Sequence, residues 1–127
     1  MKEIRLLIVD DETDYTSPLS KRLTRRGLRV VTASSGFEAL QTLKSTEIDI
    51  ILLDIKMADM DGVKTLGEIK RLYPHIEVVM LTAHANTDTV ISSIAMGAFD
   101  YLMKPVSVDD LVQKIGDAYL QRKKNLD

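Results

Sequence analysis

"IDIILLDI" occupies residues 48–55, with four consecutive apolar residues between Asp49 and Asp54. A strand with one face in water alternates apolar and polar residues. An unbroken apolar run of this length, bounded by charges, reads instead as a strand covered on both faces. It is the most apolar run in the chain and is expected to be the central strand.

Apolar runs of the same kind recur on either side, each followed by a segment of helical period. "IRLLIVD" (4–10), "RVVTAS" (29–34), "EVVMLTA" (77–83) and "FDYLM" (99–103) complete a set of five strands. Helices are expected over 14–26, with Pro18 in the first turn and Gly27 as the stop, and from a capping box at Ser35–Glu38 through about Lys44. The third opens at Asp61-Gly62, reaches about Leu72 and is ended by Pro74. The fourth spans 87–96 and is closed by Gly97. The last follows a second capping box at Ser107–Asp110 and reaches about Lys123.

Five β-α units in succession imply a parallel sheet with helices on both faces, in three α/β/α layers. Crossovers are right-handed, so covering both faces requires one reversal of winding. The flavodoxin-like order 2-1-3-4-5 is the common five-strand solution. It makes strands 1 and 3 neighbours, about 4.8 Å apart, and opens a crevice at their carboxyl ends. The residues at those ends are Asp10, Asp11 and Asp54.

The rest of the composition narrows the chemistry. The chain has 127 residues, the size of one domain, and carries a formal net charge of -2 with no cysteine. That removes disulfides, thiolate zinc sites and cysteine nucleophiles, and fits a reducing, cytoplasmic setting. No apolar run approaches the roughly 20 residues of a membrane span. No sequence-wide basic footprint calls for nucleic acid. Domain limits of 1–122 are expected, with 123–127 as a basic tail or the start of a linker.

Three carboxylates brought to one rim repel by about 1–4 kcal/mol per close pair, depending on the local dielectric. Such a cluster binds a proton or a metal. Oxygen donors without histidine or cysteine favour Mg²⁺ or Mn²⁺, and Mg²⁺ in turn favours phosphate chemistry. Thr82 and Lys104, ending strands 4 and 5, stand at the same rim with a hydroxyl and an ammonium.

"VDDE" (9–12), "LLDIKMADMDG" (52–62), "VVMLTA" (78–83) and "GAFDYLMKPVSVDDL" (97–111) strongly resemble the receiver domain of bacterial two-component response regulators. The resemblance runs from about Lys2 to Ala118. It implies a phosphorelay switch rather than an enzyme. Asp54 would accept a phosphoryl group from a sensor histidine kinase or phosphotransfer protein, and Asp10 and Asp11 would hold Mg²⁺ together with Asp54 and the Lys56 backbone carbonyl. Lys104 and Thr82 would contact the phosphoryl oxygens, Tyr101 would be the aromatic switch, and Lys104-Pro105 would be a cis peptide. The chain departs from the family at Ala58, where proline is common. Lys56 and His84 occupy variable positions flanking the phosphoryl group and are candidates for tuning its hydrolysis. Neither His75 nor His84 lies in a helical phosphotransfer pattern, so this chain is the acceptor.

The output surface is expected at strands 4 and 5 and the helix between them. Val90, Ile91, Ile94 and Ala95 are expected to face the core there. Ser92, Ser93 and Met96 would then form a weakly polar outer face, open to an output partner or domain or to a phosphorylation-dependent homodimer. The basic "SKRLTRRG" (20–27) is a candidate kinase-facing surface.

Two other classes use similar architecture. A haloacid-dehalogenase-type phosphatase needs a second aspartate two residues after its nucleophile, where this chain has Lys56, and a cap insertion that this chain lacks. A flavin-binding module needs a Ser/Thr/Gly-rich phosphate loop, where Asp11, Glu12 and Asp14 would repel the cofactor.

Overall fold

The computed structural model describes residues 3–57, 60–83 and 86–126. The strands are β1 (Arg5–Val9), β2 (Arg29–Ala33), β3 (Ile50–Leu53), β4 (Glu77–Thr82) and β5 (Asp100–Met103). The helices are α1 (Thr13–Arg25), α2 (Gly36–Ser45), α3 (Gly62–Leu72), α4 (Thr87–Ala95) and α5 (Val108–Leu126). The strands form one parallel sheet in the order β2-β1-β3-β4-β5, the flavodoxin-like arrangement. Several expected strands shorten at their ends, where side chains turn to polar partners: Asp49 to Arg5, and Asp54 to the rim.

The apolar runs of β1, β3 and β4 fill two cores, one per face, because successive strand residues point to opposite sides. Leu7, Val9, Ile51, Leu53, Val78 and Met80 meet Ala39, Leu43, Leu66 and Ile69 of α2 and α3. Leu6, Ile8, Ile50, Leu52, Val79 and Leu81 meet Leu19, Leu23, Leu111, Ile115 and Ala118 of α1 and α5. Every residue of β3 and of β4 is buried. Each fully buried Leu or Ile contributes roughly 1.5–3 kcal/mol of transfer free energy. The register Val9↔Leu53 and Thr82↔Met103 then places the residues that follow these strands along one edge.

Helix ends follow the sequence signals closely. Gly27 and Gly97 adopt φ of 92° and 105°, a region that disfavours a Cβ. Each closes its helix with paired bonds: Gly27 N–H to Thr24 and Leu28 N–H to Leu23, then Gly97 N–H to Ile94 and Ala98 N–H to Ser93. Ser35, Asp61 and Asn86 cap α2, α3 and α4 through their side chains, and the Asp110 N–H donates to the Ser107 hydroxyl at the start of α5.

Four local expectations need correction. Pro18 is the sixth residue of α1, beyond the first turn, on the exposed side of the helix where a missing N–H is tolerated. The capping box of α2 is only half made. The Glu38 carboxylate accepts instead from the Ser34 hydroxyl at 2.9 Å. Helix α5 continues to Leu126, three residues past the expected end.

The fourth correction concerns α4. Ser93 is fully buried, whereas Ile91 and Ile94 are 60 and 45 % exposed and Ala95 is exposed as well; Ser92 and Met96 lie outside as expected. The Asn86–Thr89 capping box and the Gly97 turn fix the helix's rotation. The buried Ser93 hydroxyl is satisfied by the Thr89 carbonyl at 2.8 Å. The outer face of α4 therefore carries Ile91 and Ile94 beside Ser92 and Met96 and is more apolar than expected.

An ionic cluster anchors the opposite end of the sheet. Asp49 accepts from the Arg5 backbone N–H at 2.9 Å, from Arg5 Nε at 3.1 Å and from Nη2 at 2.9 Å. Arg5 Nη1 also pairs with Glu47. Arg122 Nη2 lies 3.6 Å from Asp49, tying α5 to the same cluster. Burial works against the Asp49 charge, but the Arg5 bonds outweigh it and hold the carboxyl below its ordinary range.

Candidate functional site

The rim at the carboxyl ends of β1, β3, β4 and β5 is built by bonds that carry the sheet pattern one residue past the strands. The Asp10 N–H donates to the Ala33 carbonyl at 3.1 Å, Asp54 N–H to Val9 at 3.0 Å and Lys104 N–H to Thr82 at 2.9 Å. Backbone fixed in this way sets the direction in which each side chain leaves the chain at the rim. Asp10 and Asp54 are each 3 % exposed, and Thr82 is fully buried.

Carboxylate oxygens of Asp10, Glu12 and Asp54 lie within 4.8 Å of one another. Asp10 Oδ1 accepts from the Glu12 N–H at 2.9 Å, so the chain turns there and brings residue 12 back over the rim. Glu12 begins α1 as its N-cap and also completes this trio. Asp11 is exposed and stands outside it. Asp54 Oδ1 accepts from the Ile55 N–H at 2.8 Å, and the Thr82 side chain also hydrogen-bonds the Asp54 carboxylate.

Lys104 reaches back over the edge as the sheet order requires. Its Nζ donates to Asp10 Oδ2 at 2.6 Å and to Glu12 Oε1 at 3.2 Å. The Tyr15 ring centroid is 4.4 Å from the same nitrogen. The Lys104-Pro105 peptide is cis. Burial opposes the ammonium charge, but Asp10, with help from Asp54 and Glu12, raises the Lys104 pKa.

Asp54 behaves differently. Burial and the neighbouring Asp10 raise its pKa, and Lys104, Thr82 and the Ile55 amide recover only part of that cost. Among the described residues, Lys104 is the one cation paired with these three clustered carboxylates, which leaves an excess of negative charge. The donors are all hard oxygens, a set suited to a divalent cation such as Mg²⁺.

Other expected positions sit further out. Lys56 is exposed, two residues past Asp54 on the β3–α3 loop. Ala58 and His84 lie outside the described residues. Tyr101 is 37 % exposed on the edge strand. With Met103, Asn86, Thr87, Val90 and Ile91 it lines a shallow cleft of about 270 Å³.

Three contributors do not stand out in the sequence. Glu12 reads there as a loop residue at the start of α1, yet it completes the carboxylate trio and pairs with Lys104. Tyr15 stands three residues past Glu12, one helical turn along, a spacing that could have flagged it. The sequence marks Gly62 only as part of a helix start. A Cβ there would fall 1.9 Å from the Asp54 carbonyl oxygen and 2.6 Å from the Ile55 Cα. Only distance along the folded chain reveals that approach.

Comparison with known proteins agrees with this geometry. The sequence profile of the response regulator receiver domain matches residues 6–116. The transcriptional regulatory protein ZraR of Klebsiella oxytoca is 38 % identical over 117 residues, which is 92 % of this chain and 26 % of that protein. The DNA-binding transcriptional regulator NtrC of Klebsiella pneumoniae is 40 % identical over 111 residues, 87 % of this chain and 24 % of that one. The chain thus spans about a quarter of the length of these curated relatives. A CheY-like receiver domain protein from Methanospirillum hungatei JF-1 superposes with a TM-score of 0.93 at 31 % identity, covering 98 % of this chain and 99 % of its own. A receiver domain protein from Clostridium thermocellum gives 0.89 at 37 % identity, with the same coverage. With fold, rim and profile in agreement over most of its length, the chain belongs to the response regulator receiver domain family, the signalling domain of two-component systems.

Proposed function

We propose that Asp54 accepts a phosphoryl group from a phosphohistidine on a sensor histidine kinase or phosphotransfer protein. The observation that carries this reading is the burial of Asp54 at a strand end, clustered with Asp10 and Glu12 and beside the Lys104 ammonium that pairs with Asp10. A carboxylate oxygen of Asp54 attacks phosphorus and the P–N bond breaks; the donor's other ring nitrogen carries a proton beforehand, so the histidine leaves as the neutral imidazole. A carboxylate is a weak nucleophile, so positioning and charge neutralisation must do most of the work. The Ile55 amide holds one Asp54 oxygen, and Lys104 stands ready to neutralise the phosphoryl oxygens. Thr82 exchanges its bond to the carboxylate for one to the phosphoryl group.

Mg²⁺, with Mn²⁺ as the alternative, would be held by Asp10 and Asp54 from the buried floor. Asp11, Glu12 and the Lys56 carbonyl would complete the site at its mouth. When bound, the ion supplies positive charge to offset the transferring phosphoryl oxygens.

Movement of Thr82 biases β4, β5 and α4, with Tyr101 as the aromatic element of the switch. The readout is an output partner or domain, or a homodimer formed on phosphorylation. Lys56 and His84 tune the lifetime of the acyl phosphate. The unit spans residues 1–122 and works in the cytoplasm without direct nucleic-acid contact or membrane attachment. Among the described residues no helix is long and apolar enough to cross a membrane.

The test is chemical trapping. After incubation with acetyl phosphate and Mg²⁺, borohydride reduction converts an aspartyl phosphate to homoserine. Peptide mapping is expected to place homoserine at residue 54. Homoserine at residue 10 or 11 instead would reassign the acceptor.

A further inference from the structure

Lysine ends in a compact, strongly hydrated charge on a flexible four-carbon stem, so a lysine that must meet a phosphoryl group needs external restraint. Lys104 sits at a rim open to solvent, yet its side chain is only 9 % exposed. Asp10 restrains it from below at 2.6 Å. Glu12 lies at 3.2 Å, but its side chain is 60 % exposed. Among the described residues, the ring of Tyr15 also covers it, with its centroid 4.4 Å from Nζ.

We infer that Tyr15 is a positioning residue for phosphoryl transfer, roofing the Lys104 ammonium and fixing its direction; this deepens, and rests on, the phosphoacceptor reading of Asp54. Tyr15 is suited to the part. It belongs to the first turn of α1 and packs against the core formed by Leu6, Ile8, Leu19 and their neighbours. The face of an aromatic ring attracts a cation through its quadrupole. The ring is neutral and does not compete as a strong acceptor. An ammonium has three N–H donors, and Asp10 and Glu12 engage two. Exchange of one carboxylate for a phosphoryl oxygen can then proceed beneath a roof that stays in place.

The test compares Tyr15→Phe, Tyr15→Leu and Tyr15→Met for the rate of phosphorylation by acetyl phosphate in saturating Mg²⁺. A small-molecule donor removes any contribution of α1 to kinase docking. Circular dichroism melting checks folding, and two apolar replacements guard against one that packs badly. Tyr15→Phe keeps the ring face and is expected to retain the wild-type rate. Tyr15→Leu and Tyr15→Met are expected to lose about five- to tenfold, the size of a cation–π contact. That loss should vanish in a Lys104→Ala background, because the roof acts only through the ammonium.

Wild-type rates in both apolar variants would overturn the inference. So would an equal loss in Tyr15→Phe, or a loss that persists without Lys104. Absence of any adduct on the wild-type protein would overturn the phosphoacceptor reading together with the roof. An adduct at Asp54 with indifferent Tyr15 variants would overturn the roof alone.

Discussion

Gly62 and Asp54 touch backbone to backbone: the Gly62 N–H donates to the Ile55 carbonyl at 2.6 Å, and a Cβ on Gly62 would lie 1.9 Å from the Asp54 carbonyl oxygen. The start of α3 thus presses directly on the segment that carries the proposed phosphoacceptor. The Ile55 N–H that orients the Asp54 carboxylate belongs to the same segment.

Gly62→Ala is therefore expected to cost about 1–3 kcal/mol in a urea melt, the usual penalty of overpacking. It should also slow phosphorylation by acetyl phosphate at least tenfold, on the scale of rate lost to small misplacements of reacting groups. Gly116→Ala is the control. That glycine lies inside α5 with nothing within 4 Å of an added Cβ. Its replacement should gain about 0.5–1 kcal/mol and leave phosphorylation unchanged.

Asp54 pays for its position in stability. Its folded pKa is raised, first by burial and then by Asp10. The folded state therefore binds this proton more tightly than the unfolded chain. Its stability contribution is fully present below the ordinary aspartate value and is lost as pH rises through the raised one. Asp54→Asn removes the charge and should raise Tm at neutral pH by a few degrees. The gain should shrink as pH falls toward the ordinary aspartate range. Differential scanning calorimetry across that range measures both effects.

Asp49 is the opposite case. Its folded pKa is lowered because the bonds from Arg5 outweigh burial. Its contribution is present above the ordinary aspartate value and disappears as pH falls through the lowered one. Asp49→Ala leaves Arg5 and Arg122 without their shared carboxylate and should cost roughly 2–4 kcal/mol in a urea melt at neutral pH. The cluster sits at the end of the sheet opposite the rim, so phosphorylation by acetyl phosphate should be retained wherever the variant is folded.

The orientation of α4 can be checked by paired substitutions. Ser93→Leu forces a large side chain into a fully buried position and should cost about 1–3 kcal/mol. Ile91→Ser alters a residue that is 60 % exposed and should change stability by less than about 0.5 kcal/mol. The reverse pattern would restore the expectation that Ile91 faces the core.

The sheet was legible in sequence because its strands carry continuous apolar runs and its helices carry strong stops. Gly27 and Gly97 close α1 and α4 at the expected positions. The rim was legible because strand order alone brings Asp10, Asp54, Thr82 and Lys104 to one edge. The facing of α4 was not, because it turns on a buried serine whose hydroxyl is satisfied within its own helix. Apolar periodicity counts such a serine as polar. The closing of Glu12 over the rim depends on an amide bond to Asp10, and the Gly62 contact on how tightly α3 packs. Neither leaves a mark in residue spacing.

The most direct test of Asp54 as phosphoacceptor is intact-protein mass spectrometry after incubation with acetyl phosphate, with and without Mg²⁺. The wild-type protein is expected to gain the mass of one phosphoryl group in the presence of Mg²⁺, and Asp54→Asn to gain none. An equal adduct on Asp54→Asn would contradict the assignment.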